Sequence, residues 1–186
     1  MKRTAAAGLT IDVLVDSEHW QDAGESKSVV RRAVMKAAAV LSTSPTELAI
    51  VLTDDSTMRT LNRNWRGVEA ATNVLSFATR NASGRHLGDI VLAYETIKRE
   101  AHRARKPFAH HLAHLAVHGF LHLLGYDHES DVDARVMETA ERTILRKLAV
   151  PDPYRVDGRS TAGNDAKRAA KRRGRKPSAR RPERVR

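Results

Sequence analysis

Eleven consecutive residues, His118–His128 (HGFLHLLGYDH), restrict this chain more than any other stretch. Histidines stand at offsets zero, four and ten, with a glycine at offset seven. On a helix, His118 and His122 share one face about one turn apart. Gly125 then ends the helix, because glycine accepts the left-handed backbone that reverses a chain. The turn Gly125-Tyr126-Asp127 brings His128 back beside the other two. Three imidazole nitrogens converging from a helix end and the bend after it suit zinc, with a fourth position left open. Three protein ligands rather than four point to a catalytic ion, not a structural one.

Seven of the nine histidines lie between His102 and His128. His114, one turn before His118, is a candidate partner to a ligand or a fourth ligand itself. Asp127 either orients a ligand imidazole or caps the turn. His102, His110 and His111 read as surface or helix-end groups. Zinc is the expected metal, one ion per chain, although imidazole also suits nickel, copper and iron. The chain has no cysteine, which removes thiolate nucleophiles, thiolate zinc sites and iron–sulfur clusters.

Around this segment, strand and helix patterns alternate. Leu9–Val15 has period-two alternation and reads as a strand. Ser26–Ser42 reads as a helix capped by Ser26, with Val30, Ala33, Val34, Ala37 and Leu41 on one side. TELAIVLTD (46–54) is a second strand. DDSTMRTLNRNW (54–65) is a helix with Met58, Leu61 and Trp65 at helical spacing. NVLSFAT (73–79) and GDIVLAY (88–94) are two further strands joined by a polar loop, which favours an antiparallel pair. Helices follow over Glu95–Arg105, Phe108–Leu124 and Ser130–Ala149, with Pro107 and Gly125 bounding the second. The expectation is an α+β fold: a single domain over residues 1–158, with a mixed four-stranded sheet packed with helices.

The net charge of +11 is not spread evenly. Lys167–Arg186 holds eleven Lys and Arg against one acid, Glu183, so the body is near neutral. Residues 159–186 have almost nothing to bury and read as a disordered basic tail. Lys171, Arg172, Arg173, Arg175 and Lys176 form its densest run, suited to neutralising RNA phosphates without reading sequence. The first residues lack the apolar run of a signal peptide, and no window approaches a membrane span. The expected location is the cytoplasm, with no membrane partner.

The histidine spacing matches part of the metzincin peptidase pattern, in which a glutamate general base follows the first histidine. Here that position is Gly119, so a peptide hydrolase would need a base from elsewhere.

HGFLHLLGYDH also resembles the signature of the bacterial YbeY family of metal-dependent endoribonucleases. LNRNWRGVEAATNVLSF (Leu61–Phe77) resembles that family's arginine-bearing block, and LGDIVLA (Leu87–Ala93) its following strand. The block departs from the family's Asp-x-Pro-Thr-Asn, with Glu69, Ala71, Thr72 and Asn73 in those positions. The resemblance covers roughly residues 45–155. It implies a metal site at His118, His122 and His128 and a functional arginine at Arg66. It further implies cleavage of single-stranded RNA in ribosome maturation and quality control, including processing of the 16S rRNA 3′ end on the small subunit.

Arg66 is then the candidate clamp on two oxygens of a reacting phosphate. Asn73 and Ser76 either line the cleft or serve the turn and strand. Trp20 and Trp65 read as packing residues, since low aromatic content gives little support to base stacking. A third class also fits the sequence: a ribosome-associated RNA-binding factor whose metal is structural and whose tail does the work.

Overall fold

Period-two burial marks the first strands. The computed structural model describes residues 8–20, 23–43, 46–79 and 86–155. β1 (Thr10–Val15) buries Ile11 and Val13, and β2 (Glu47–Thr53) buries Leu48, Ile50 and Leu52. Successive strand side chains point to opposite faces, so these sets face one layer. β4 (His86–Ala93) breaks the alternation, with Ile90, Val91, Leu92 and Ala93 all buried. An inner strand covered on both faces has this character. β3 (Val74–Ala78) completes the sheet, whose order is β1-β2-β4-β3. β1 pairs parallel with β2, and β2 parallel with β4. β3 runs antiparallel to β4 along an edge, as the short link between them led us to expect. The fold is α+β with a mixed four-stranded sheet and, among the described residues, five helices.

α1 (Ala23–Leu41) links the two parallel strands β1 and β2. It begins three residues before the expected cap, so Ser26 lies inside its first turn. Ala23 is a good helix former, and Glu25 complements the helix dipole there. α2 (Asp55–Arg66) is capped by Asp54, whose carboxylate accepts from Thr57 N at 2.8 Å, and closed by Gly67 at φ 68°. α3 (Tyr94–Arg103) follows β4 directly. α4 (Phe108–Leu123) and α5 (Asp131–Arg146) come next, the latter capped by Ser130.

The sheet carries helices on both faces. α1, α4 and α5 share one large apolar core with Ile11, Ile50, Ile90 and Leu92. On the other face Met58 of α2 packs with Leu75, Val91 and Ala93. Trp20, 2% exposed, belongs to the large core and donates its indole N–H to Thr53 O at 2.8 Å. Trp65 does not follow the packing expectation: it is 70% exposed at the end of α2, beside Phe77 of β3.

All these elements belong to the compact unit that ends at Pro153. Of the second unit, Tyr154–Arg186, only Tyr154 and Arg155 are described, so the expected tail (159–186) lies outside the described residues. So does 80–85, most of the loop expected between the last two strands. Among the described residues, no helix is long and apolar enough to cross a membrane.

Candidate metal centre

α4 is held against the sheet at a residue without a side chain. A Cβ on Gly119 would stand 2.8 Å from Ile90 Cγ2, 3.1 Å from Ser76 Oγ and 3.2 Å from Val74 Cγ2. Ser76 Oγ donates to Gly119 O at 3.0 Å, pinning helix to strand. With Gly119 turned to the sheet, its neighbour His118 and, one turn on, His122 are half-buried on another side of the helix. A side chain at 119 would point into the sheet, so this position is unsuited to the base of a peptidase. Ser76 therefore fastens helix to strand, the structural alternative given for it above.

The helix ends as its glycine predicts. Gly125 has φ 87°, Gly125 N donates to His122 O at 3.0 Å, and Tyr126 N to Leu121 O at 3.0 Å. This pair of bonds is the Schellman closure that satisfies the last helical carbonyls. Asp127 then accepts from His128 N at 2.6 Å, so it caps the turn instead of gripping an imidazole. The bend returns the exposed His128 to the helix end, its ring centroid 5.8 Å from that of His118 and 5.1 Å from that of His122.

One donor nitrogen from each of His118, His122 and His128 lies within 4.8 Å of the others. The Nε2 atoms of His118 and His122 are 3.1 Å apart. That is roughly the spacing of two nitrogens that share an ion about 2 Å from each. The donor set fits a borderline-soft divalent cation.

The sequence reading missed Glu141. This α5 carboxylate has no exposed surface, yet Oε1 bonds His118 Nδ1 at 2.7 Å and Oε2 bonds His114 Nε2 at 3.0 Å. A buried carboxylate is tolerated only when hydrogen-bonded or paired. Accepting from His118 Nδ1 fixes the tautomer that leaves the Nε2 lone pair toward the cluster. His114 thus shares the Glu141 carboxylate with His118. A signal was present in the sequence: Glu141 shares a helical face with the buried Met137, Ile144 and Leu145.

Burial holds the His122 imidazole below the usual histidine range, and His118 and His128 add repulsion against its protonation. A neutral ring keeps its lone pair for a metal.

His102 is exposed, and His111 stands in the first turn of α4, the helix-end setting given as the alternative for it. Its side chain is 14% exposed, and Nε2 meets Glu100 Oε2 at 2.9 Å. Asn73 Nδ2 donates to the same oxygen at 2.9 Å, so Asn73 ties β3 to α3 rather than lining a cleft. Burial alone would raise the Glu100 carboxyl, but the bonds from His111 and Asn73 outweigh it and hold it low.

Arg66 is exposed at the last position of α2. Trp65 beside it lies 5.4 Å from Phe77, ring to ring, and Phe77 follows the Ser76 that bonds Gly119. Lys171, Arg172, Arg173, Arg175 and Lys176 lie outside the described residues.

Comparison with known proteins identifies the family. Residues 14–149 match the family model described as Endoribonuclease YbeY. A protein named Endoribonuclease YbeY from Bradyrhizobium sp. (strain BTAi1) is 50% identical over 155 residues, covering 78% of this chain and 92% of that protein. Its namesake in Rhodopseudomonas palustris (strain BisB18) is 51% identical over 152 residues, covering 77% and 90%. Another, from Rhodopseudomonas palustris (strain BisA53), is 53% identical over 152 residues, covering 77% and 88%.

Proposed function

The chain belongs to the YbeY family of endoribonucleases, metal-dependent hydrolases of RNA, and from that premise we infer that it cuts single-stranded RNA during ribosome maturation. The substrate is ribosomal RNA, including the 3′ end of the small-subunit 16S rRNA, and the partner is the small subunit in the cytoplasm. Removal of defective ribosomes draws on the same cleavage.

One zinc ion is held by His118, His122 and His128. When bound, it supplies Lewis-acid chemistry to the scissile phosphodiester. The protein groups do the rest. Glu141 holds His118 Nδ1 and so aims Nε2 at the ion. His122 offers a neutral ring because burial and its histidine neighbours disfavour its proton. Arg66 contacts two oxygens of the phosphate as negative charge accumulates there. Gly119 keeps the helix close enough to the sheet for the two helical histidines to stay in register.

The observation that carries this reading is the meeting of three imidazole donors within 4.8 Å. It is tested by incubating the full chain with single-stranded RNA, with and without chelator, beside His122→Ala. Metal content and cleavage should be lost together in the variant and cleavage lost on chelation. Undiminished cleavage by a metal-free variant overturns it. An Arg66→Ala variant should keep its metal and lose cleavage about a hundredfold, the scale of one lost donor to a developing anion.

The basic run at Lys171–Lys176 serves as a sequence-independent anchor on RNA phosphates. Deleting 159–186 should weaken RNA affinity and flatten its salt dependence while metal uptake is unchanged. Unchanged affinity at low salt removes the anchor.

A further inference from the structure

We propose that Trp65 is a stacking platform for an unpaired RNA base, with Arg63 beside it for an adjoining phosphate and Arg66 left to the reacting one. The inference rests on the nuclease reading and adds the means by which the strand is held. Trp65 stands seven residues after Met58 on α2, and Met58 is fully buried. Helical periodicity places the two on nearly the same side. Yet the indole is 70% exposed. Phe77 braces it from one side, with ring centroids 5.4 Å apart and planes at 57°. That leaves a large aromatic surface open to solvent and held in place at its base. Val68, 49% exposed, extends the apolar patch.

The surrounding charge favours a polyanion. Arg63 and Arg66 are both exposed in the last turn of α2. The one acid in the loop just beyond, Glu69, is taken up by Arg59 at 3.0 Å. An aromatic face between cations accepts any base by stacking while the cations neutralise phosphates. A base inside a duplex has its faces covered by neighbours, so the platform selects single strands.

A short structural path joins the platform to the metal centre. Trp65 rests on Phe77, whose neighbour Ser76 bonds Gly119 O at 3.0 Å, and Gly119 follows His118. Phe77 and Ser76 point to opposite faces of β3, an edge strand. A single strand of RNA bound at both places therefore passes around that edge, where, among the described residues, no further strand pairs with β3.

The test uses the full-length, metal-loaded chain and a short labelled oligoadenylate, with affinity read by anisotropy before appreciable cleavage. Trp65→Ala should weaken binding on the order of tenfold, the scale of one lost base–aromatic stack. Trp65→Phe should restore most of it, and duplex RNA should bind parent and variants alike. There are two tryptophans, and Trp20 is 2% exposed. Oligoadenylate should therefore quench the parent's emission, and Trp65→Phe should abolish that response. Unchanged single-strand affinity in Trp65→Ala overturns the platform, as does an equal loss on duplex RNA. The two failures differ: a parent chain that cleaves no RNA fails the nuclease reading, whereas intact cleavage with unaltered Trp65→Ala affinity fails the platform alone.

Discussion

Glu141 Oε1 lies 2.7 Å from His118 Nδ1, and that carboxylate has no contact with solvent. The bond crosses from α5 to α4, so the alignment of the metal-facing nitrogen depends on a helix that supplies none of the three clustered histidines.

Glu141→Gln should accordingly weaken metal binding between about tenfold and a hundredfold, the usual cost of losing such a support. The amide cannot accept hydrogen bonds at both oxygen positions, so either His118 or His114 loses its acceptor. Competition with a chelator of known affinity measures the loss. Near-parental affinity would show that His118 finds its orientation without the carboxylate.

Asp54 gives a pH-dependent contribution to stability of known sign. The hydrogen bond from Thr57 N, the largest influence, outweighs partial burial and holds its carboxyl below the usual range. A carboxyl lowered on folding contributes stability above its unfolded pKa and loses it as pH falls through the folded value. Asp54→Ala should cost about 1 kcal/mol at neutral pH, and the gap from the parent should shrink on acidification. Asp54→Asn should keep the cap and lose that pH dependence, since its amide oxygen also accepts. Urea midpoints across a pH series decide the matter.

Gly119→Ala brings a methyl group against Ile90 Cγ2, an atom rooted close to the strand backbone. Overpacking of this kind costs about 1–3 kcal/mol, and the better helix propensity of alanine returns up to about 1 kcal/mol. A net loss of about 1 kcal/mol is expected in denaturant melts, with weaker metal uptake as His118 and His122 move. A variant as stable as the parent would show that the helix has room to retreat.

Gly125→Ala forces a side chain into the left-handed region at φ 87°, at a cost of about 1–2 kcal/mol. Relaxing that strain moves His128. The thermal stabilisation on adding zinc should therefore be smaller than in the parent, and differential scanning measures both terms. An unchanged zinc-induced shift would separate the turn from the metal centre.

Much of this molecule was legible in its sequence. β1 and β2 follow period two, the α4 boundaries follow Pro107 and Gly125, and the helical histidine pair follows from an offset of four. These signals are local, set by neighbouring residues. Glu141 and Trp65 escape a local reading because their settings are tertiary. A carboxylate in α5 gains meaning only when α4 lies against it. Trp65 has helical spacing suited to a core, yet its indole, beside Phe77, is 70% exposed. The start of α1 was misplaced because a serine is as acceptable inside a first turn as at its cap.

All three clustered imidazoles fall within eleven consecutive residues, and Glu141 comes thirteen residues after the last of them. During synthesis, a nascent chain that has cleared the ribosome to His128 already carries the complete donor set, while the carboxylate that aligns it is still to emerge. The bond from His118 to Glu141 therefore closes last, once α5 has docked on α4.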